Sequence, residues 1–242
     1  MINNDPIYNY EKWWHEYKEI NRLDPGTRIR KKIIKNELID SHAVNILDLG
    51  CGSGELLVYL NQHLPDKQYY GADVSKKALA IVKQYKLVKA TYVVDLEKKE
   101  KLNKKFDAII CSEVIEHIIK WKNIIYFLKN NTHKKSTVII TTQAGKKYPH
   151  HIRIGHIQHF KIEQINKELL KNGFKIKKAY YMGWPFMNIK NLLLTHFVSN
   201  DIYEGKEMSI MTKLVLNIFY FFYSISFRNI GPQIVIIAVK NN

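Results

Sequence analysis

The sequence predicts an α/β fold, a single domain with one seven-stranded sheet and helices on both faces of that sheet. Three observations lead to this prediction. The chain of 242 residues is long enough to bury one large core. From Val44 onward, short β-rich runs alternate with segments of helical periodicity, which is the pattern of βαβ units and a parallel sheet. Hydrophobic residues make up 46% of the chain and aromatic residues 12%, as in globular proteins.

The first element is a helical segment from Tyr8 to Ile39. It is interrupted at Pro25-Gly26, because proline and glycine disfavour the interior of a helix. The segment belongs to an N-terminal helical extension over residues 1–42, which precedes the sheet and can act as a lid. Its apolar face comprises Trp13, Trp14, Tyr17 and Ile20.

The sheet and its connecting helices follow. Strands are predicted at Val44–Leu49, Gln68–Ala72, Thr91–Val94, Phe106–Cys111, Thr137–Thr142, Lys175–Tyr181 and Gln233–Val239. Helices are predicted at Gly54–His63, Lys76–Tyr85, Trp121–Asn130 and Ile162–Asn172.

A long apolar insert, residues 183–232, precedes the last strand. Its second half, Met211 to Phe227, is rich in Leu, Ile, Phe and Tyr but contains Lys213 and Asn217. It is therefore shorter than the roughly 20 apolar residues that span a bilayer. Apolar residues all round a helix predict burial on every side. The segment 208–228 is thus expected to meet the domain core, a second copy of the chain or, peripherally, a membrane surface.

The net charge and the cysteines indicate which partners and which cellular location the protein favours. The net charge is +16, which attracts anionic partners. The basic residues are overwhelmingly Lys, whereas bidentate recognition of phosphate or guanine favours Arg. A nucleic-acid partner is therefore disfavoured, though not excluded. Cys51 and Cys111 form no disulfide framework, and the first ten residues lack the apolar core of a signal peptide. We expect a cytoplasmic protein, with the inner membrane surface as the alternative location.

A glycine-rich turn follows the first predicted strand. Gly50, Gly52 and Gly54 alternate, so the backbone can approach a ligand closely just before a helix begins. This turn resembles the first motif of class I S-adenosylmethionine-dependent methyltransferases, in which a cysteine like Cys51 is a familiar variant. A nicotinamide-binding turn would instead require glycine at position 55, where this chain has Glu55.

The resemblance extends from Val44 to His117 and is closest to the ubiquinone-biosynthesis O-methyltransferases. Asp73 ends the second strand, where an acid can accept both ribose hydroxyls, while Asp95 and Leu96 follow the third strand, where this family contacts the adenine. The resemblance implies S-adenosyl-L-methionine as the cofactor and a mostly parallel sheet with an antiparallel last strand. The cofactor-binding residues that it implies are Asp48, Gly50, Cys51, Gly52, Gly54, Asp73, Asp95, Leu96 and Ser112.

A carboxylate-histidine string follows the fourth strand. Glu113, Glu116 and His117 share one helical face if the chain turns helical there, and two carboxylates with an imidazole can bind a hard ion such as Mg²⁺. The string is similar to one in the ubiquinone-biosynthesis enzymes and in small-RNA terminal 2′-O-methyltransferases. The alternative is that Glu113 stabilises a helix N-terminus and His117 acts alone as a base.

Further histidines follow the fifth strand. The candidate catalytic bases are His117, His156 and His159, because a neutral imidazole can take the proton of a substrate hydroxyl. We expect O-methylation of a small-molecule or lipid- or glycan-linked acceptor, since the Asn-Pro-Pro-Tyr motif of amine-methylating relatives is absent. The alternatives are a metal-assisted RNA 2′-O-methyltransferase and a non-catalytic cofactor-binding protein.

Overall fold

One mixed sheet organises the chain. The computed structural model describes residues 23–196, 210–225 and 227–241. Within them eight strands pair in the order β3-β2-β1-β4-β5-β8-β6-β7. The strands are β1 Asn45–Leu49, β2 Gln68–Asp73, β3 Val88–Val93, β4 Phe106–Ser112, β5 Thr132–Gln143, β6 Phe174–Trp184, β7 Phe227–Arg228 and β8 Gln233–Lys240.

The strand directions confirm the predicted fold class. Strands β1 to β5 pair in parallel, and β8 runs antiparallel to both β5 and β6. All seven predicted strands are present. The eighth, β7, pairs antiparallel with Met182 and Trp184 of β6. It was not predicted because two residues are too few to show an alternating pattern.

The helices are α1 Pro25–Ile39, α2 Glu55–His63, α3 Lys76–Gln84, α4 Lys122–Asn131, α5 Pro149–Arg153, α6 Ile162–Lys171, α7 Phe186–His196 and α8 Ile210–Ser224. The four helices predicted between strands begin and end within one residue of α2, α3, α4 and α6. At the predicted interruption, Pro25 is the first residue of α1, and the Asp24 side chain caps the helix by accepting a hydrogen bond from the Thr27 amide at 2.8 Å. Residues 1–22 of the predicted extension lie outside the described part of the chain.

Both faces of the sheet are covered. Alternate residues of β1 point to opposite faces, so Leu47 and Leu49 pack with the cluster that includes α4 and α6. Ile46 packs with the cluster that includes α1, α2, α3, Met187 of α7 and Tyr223 of α8. This two-sided burial confirms the predicted helices on both faces and leaves the strand ends as the open edges.

The apolar insert contributes α7, α8 and β7. The guanidinium of Arg28 in α1 lies 3.7 Å from the centre of the Tyr220 ring and donates to the Asn217 side chain at 2.8 Å. Tyr223 is 2% exposed, but Ile218 and Phe221 are 48% and 63% exposed. One side of α8 therefore packs on the domain, and contact of the other side with a second copy of the chain or with a membrane surface stays a prediction. Among the helices of the described ranges, none is long and apolar enough to cross a membrane.

Candidate active site

The glycine turn lies at the carboxyl end of β1, at the edge where open α/β sheets bind ligands. Gly50, Gly52 and Gly54 have φ of 79°, 50° and 79°, which only glycine adopts without strain. The amides of Gly50 and Cys51 donate to the Ala72 carbonyl at 2.7 and 3.0 Å. A side chain at position 50 would collide with Val114. The turn is thus fixed against β2, with glycine required at its bend.

Asp73 connects this turn to the next strand. One carboxylate oxygen accepts a hydrogen bond from the Gly52 amide at 2.9 Å, and the other accepts one from the Ser75 amide at 2.9 Å. The Ser75 hydroxyl caps α3 by accepting a hydrogen bond from the Ala78 amide at 3.1 Å. Since each carboxylate oxygen has two lone pairs, Asp73 can still accept hydrogen bonds from a ligand's hydroxyls.

Asp48 lies beneath the turn and is 3% exposed. Burial, and then the negative charge of Asp73, raise the pKa of Asp48 to about 7, against the opposing charge of Lys31. Two acids so close together favour a cationic ligand, because a positive charge stabilises their ionised forms.

Of the other predicted cofactor residues, Asp95 and Ser112 form polar contacts, and Cys51 and Leu96 are buried. Asp95 contacts its own loop: its carboxylate pairs with the Lys98 ammonium at 2.8 Å, and this hydrogen bond lowers its pKa. Ser112 lies at the open edge, with its hydroxyl 2.8 Å from that of Thr141. Cys51 and Leu96 are buried, at 6% and 7% exposed. Burial raises the pKa of the Cys51 thiol, so this residue packs under the turn as a neutral group.

Glu113 follows β4 in a non-helical conformation, with φ of 57°. Only Ile115–His117 form a short 3-10 turn after it, so the predicted helical face shared by Glu113, Glu116 and His117 does not form. The Glu113 carboxylate instead accepts hydrogen bonds from the side chains of Thr141, Gln143 and Gln233 at 2.9 to 3.1 Å. Arg30 of α1 lies 3.6 Å from it. Glu113 therefore has a structural role: its carboxylate connects α1 to β5 and β8.

Glu116 faces a different set of groups and is fully buried. Its Oε2 atom accepts a hydrogen bond from the Thr142 hydroxyl at 2.8 Å. Its Oε1 atom is buried and has no hydrogen-bond partner in the described structure. Burial, and then the charge of Glu113, raise the pKa of Glu116 well above its usual range. Burial therefore favours the neutral, protonated form of this carboxyl group.

The three histidines predicted as bases lie together. His117 and His156 have ring centres 4.8 Å apart, and Nδ1 of His156 lies 3.0 Å from Nε2 of His159. Burial lowers the pKa of each of the three imidazoles, so all are neutral at pH 7. They lie after β4 and β5, at the same carboxyl edge of the sheet as the glycine turn after β1.

His151 also belongs to this cluster, although it was not among the predicted bases. Its ring stacks on that of His156, with centres 5.1 Å apart. Burial, and then the charge of His150, lower its pKa to about 2. It lies on α5, a five-residue helix that is too short for periodicity to reveal.

Several site residues were missed. Thr141, Thr142 and Gln143 form a polar run at the end of β5, a position that could have marked them as site residues because ligands bind beyond strand carboxyl ends. Arg30 and Gln233 come from distant parts of the chain, and no spacing in the sequence indicates that they meet.

Comparison with known proteins places this site in a family. The profile of a family described as a methyltransferase domain matches residues 14–179. That range contains the glycine turn, Asp73 and the histidine cluster, and it covers more than half of the chain.

Relatives and solved structures agree with this match. The ubiquinone biosynthesis O-methyltransferase of Rickettsia bellii is 26% identical over 153 residues, covering 58% of this chain and 62% of the relative. The match thus spans less than two thirds of that relative's length. The phosphoethanolamine N-methyltransferase 2 of Haemonchus contortus, solved with S-adenosylhomocysteine, superposes with a TM-score of 0.63 at 18% identity, over 96% of this chain and 58% of that one.

The cyclase SpnF superposes with a TM-score of 0.59 at 15% identity, over 89% of this chain and 82% of its own. At such identities the structural likenesses show the fold alone, and the differing activities in their names show that this fold does not determine the reaction.

Proposed function

Since the chain belongs to the methyltransferase domain family of S-adenosylmethionine-dependent enzymes, we propose that it methylates a hydroxyl oxygen of a small-molecule or lipid- or glycan-linked acceptor. The observation that carries this proposal is the set of neutral imidazoles of His117, His156 and His159 at the same carboxyl edge of the sheet as the glycine turn. Methylation of an alcohol or phenol oxygen requires that its proton leave, and a neutral imidazole can take it.

The residues present fit the cofactor. Gly50, Gly52 and Gly54 let the backbone approach the amino-acid portion of S-adenosylmethionine, and Asp73 has lone pairs for its ribose hydroxyls. The buried carboxyl of Asp48 complements a positively charged ligand. When bound, the cofactor supplies an electrophilic methyl carbon on a sulfonium.

The chain's own groups then have two tasks. They hold the acceptor oxygen in line with that methyl carbon, since positioning supplies much of the rate in such a displacement. They also take the proton from the oxygen as the new oxygen–carbon bond forms. The lowered pKa values of the three imidazoles keep them unprotonated and able to accept it.

Two observations support oxygen as the acceptor atom. The residues after β4 are Ser112, Glu113 and Val114, not the Asn-Pro-Pro-Tyr motif of amine-methylating relatives. The Rickettsia bellii relative is named as an O-methyltransferase. Neither observation identifies the acceptor molecule.

A labelling experiment tests the proposal. The chain is incubated with S-adenosylmethionine carrying a radioactive methyl group and with an extract of the source cells, which is then separated into organic-soluble, RNA and protein fractions. We expect label in the organic-soluble fraction, in a linkage that is stable to mild base, as an ether is. Label in RNA would instead support the RNA 2′-O-methyltransferase alternative. Binding of S-adenosylhomocysteine without labelling of any fraction would support a non-catalytic protein.

A further inference from the structure

A surface cavity at the amino edge of the parallel strands is lined largely by lysines. Its volume is about 420 Å³, within the range of small-ligand sites, roughly 300–1,000 Å³. Five of the eight lining residues are lysines, and none is acidic. The lining comprises Lys101, Leu102, Asn103, Lys104, Lys105, Lys129, Asn130 and Lys240.

The cavity lies at the edge of the sheet opposite the glycine turn. Lys105 directly precedes β4, and Lys129 lies in the last turn of α4. Lys240 ends β8, which runs antiparallel to β5, so it also lies where the parallel strands begin. The cavity is therefore separate from the candidate active site, and a ligand bound in it would not contact the histidine cluster.

The positive charge around this cavity is not neutralised by neighbouring acids. In the part of the chain that the structure describes, no carboxylate forms an ion pair with any of the five lysines. Burial, and then the charges of Lys129 and Lys105, lower the pKa of Lys240. Like charges around a concave surface reinforce one another's potential, so the cavity attracts anions.

Two of the lysines are held in place by aromatic rings. The ammonium of Lys104 lies 4.7 Å from the centre of the Tyr70 ring, and that of Lys240 lies 4.7 Å from the centre of the Phe174 ring. Lys240 also donates to the Asn172 carbonyl at 2.9 Å. Because an ammonium group has several N–H donors, both lysines can still donate to a ligand.

The loop that carries Lys101 to Lys105 is held by a buried side chain. Asn131 is 0% exposed, and its side-chain amide donates to the carbonyls of Leu102 and Lys104 at 3.0 and 2.7 Å. Its Oδ1 atom accepts a hydrogen bond from the Leu102 amide at 3.3 Å. The backbone of the loop is thus fixed in the absence of a ligand, which lowers the entropic cost of binding one.

We propose that this cavity binds a small anion that carries several phosphate groups, such as triphosphate or the phosphate chain of a nucleotide. Such an anion places several negative charges in a small volume, which matches several ammonium groups around one cavity. The inference goes beyond the proposed methyl transfer and does not rest on it.

The residue types also distinguish this ligand from a nucleic-acid strand. Lysine neutralises phosphate as a compact point charge, whereas arginine supplies the planar geometry that reads base edges. The lining contains no arginine and no aromatic residue on which bases could stack. The composition of the cavity therefore favours recognition of phosphate charge over recognition of bases.

Calorimetric titration of the tag-free full chain with sodium tripolyphosphate, at pH 7 and low salt, tests the proposal. We expect one triphosphate per chain, with inorganic phosphate bound at least about 10-fold more weakly because it carries less charge. Excess S-adenosylhomocysteine should not displace the triphosphate, since the two sites lie at opposite edges of the sheet. ATP is titrated in the same way, and tighter binding of ATP would identify a nucleotide as the ligand.

Two double variants show where the anion binds. Lys105→Gln with Lys129→Gln should weaken triphosphate binding by about 10-fold, as expected for two charge pairs at a solvated surface. Lys83→Gln with Lys86→Gln removes the same charge from exposed positions outside the cavity and should leave binding unchanged. All four side chains are exposed, so both double variants should keep the parent's melting temperature.

Three results would overturn the proposal. The first is a parent chain that binds no triphosphate, and the second is an equal loss of binding in the two double variants, which would show attraction by net charge alone. The third is a single-stranded oligonucleotide or an anionic vesicle that binds through Lys105 and Lys129 more tightly than triphosphate does. This last result would assign the cavity to a nucleic acid or a lipid surface.

Discussion

A substitution of Gly52 tests the proposed cofactor site directly. Its φ is 50°, and its amide donates to Asp73. Gly52→Val would strain the turn and place a branched side chain where the ligand approaches the backbone. We expect the dissociation constant for S-adenosylhomocysteine to rise by about 10-fold or more, since about 1.4 kcal/mol corresponds to 10-fold.

The matched control is Gly173→Ala, another glycine with positive φ, 80°, at the end of α6. It introduces similar backbone strain away from the glycine turn, so it should lower the melting temperature without weakening binding. Equal binding by Gly52→Val and the parent chain would place the cofactor elsewhere.

His159 provides a test of the proposed base chemistry. Burial lowers its pKa and those of His117 and His156 below the usual value of 6.5, so the neutral, proton-accepting forms persist as the pH falls. We expect kcat to stay level from about pH 8 to 6.5 and to decline only below that range. His159→Gln should lower kcat by about 100-fold, the lower end of the range for general base catalysis.

A pH–kcat profile of the parent and of the variant is the measurement. A decline centred above pH 6.5 would show that another group controls the rate. His133→Gln is the control, because His133 lies at the opposite end of the sheet beside Asp107 and should leave the profile unchanged.

At the residue scale, the sequence identified the groups that belong to one continuous motif. The alternating glycines and Asp73 were predictable because their spacing reflects a single strand-turn-helix unit. The role of Glu113 was not, because its partners Arg30 and Gln233 come from α1 and β8. The helical spacing of Glu113 and Glu116 was misleading, since the chain leaves β4 through a residue with positive φ.

At the scale of elements, α1, α7 and α8 form a connected layer. Asp24, which caps α1, forms an ion pair with Lys190 of α7 at 2.8 Å. Although burial raises the pKa of Asp24, Lys190 and Arg30 lower it to about 2 overall. A carboxylate whose pKa is lower in the folded chain than in the unfolded chain stabilises the fold above its ordinary pKa.

This ion pair yields a stability prediction. The contribution of Asp24 should be fully present above its ordinary pKa of 3.8 and should be lost as the pH falls from there to about 2. Asp24→Asn should lower the free energy of unfolding at pH 7 by about 2 kcal/mol. Urea unfolding at pH 7 and at pH 3 measures this effect. An equal loss at both values would mean that the charge of Asp24 does not stabilise the fold.

Hydrophobic periodicity predicted some helices but not the packing of others. Helices α2, α3, α4 and α6 were found because each buries one face against the sheet. Helix α8 was identified from composition alone. With Ile218 and Phe221 outward and Tyr223 inward, it is apolar on both sides, so the pattern does not show which side packs.

At the scale of the whole molecule, several large apolar side chains are exposed. Trp184, Leu192, Ile218 and Phe221 are 43% to 63% exposed, and the chain carries a net charge of +16. Exposed apolar groups on a basic protein favour anionic lipid surfaces. A second copy of the chain is the other partner that the sequence suggested.

Vesicle flotation with anionic lipids, together with sedimentation, distinguishes these partners. We expect the parent chain to float with vesicles at low salt and Ile218→Ser with Phe221→Ser to reduce flotation by about 10-fold. Both side chains are exposed, so the double variant should keep the parent's melting temperature. A parent chain that stays in solution as a dimer, and becomes monomeric in the variant, would identify the second copy as the partner. A parent chain that neither floats nor dimerises would contradict both expectations.

The fold as a whole was predictable because strand and helix periods alternate regularly from Val44 onward. The acceptor was not. The candidate site groups lie on the loops after β4 and β5 and on helices α1 and α5, and their relative positions depend on tertiary packing.

A crystal structure of the chain with S-adenosylhomocysteine bound tests the proposed site most directly. We expect the amino-acid portion of the ligand at Gly50 to Gly54, the ribose on Asp73, and the sulfur directed toward Glu116, His117 and His156. A ligand bound away from the glycine turn, or one whose sulfur points away from these three side chains, would contradict the proposed site.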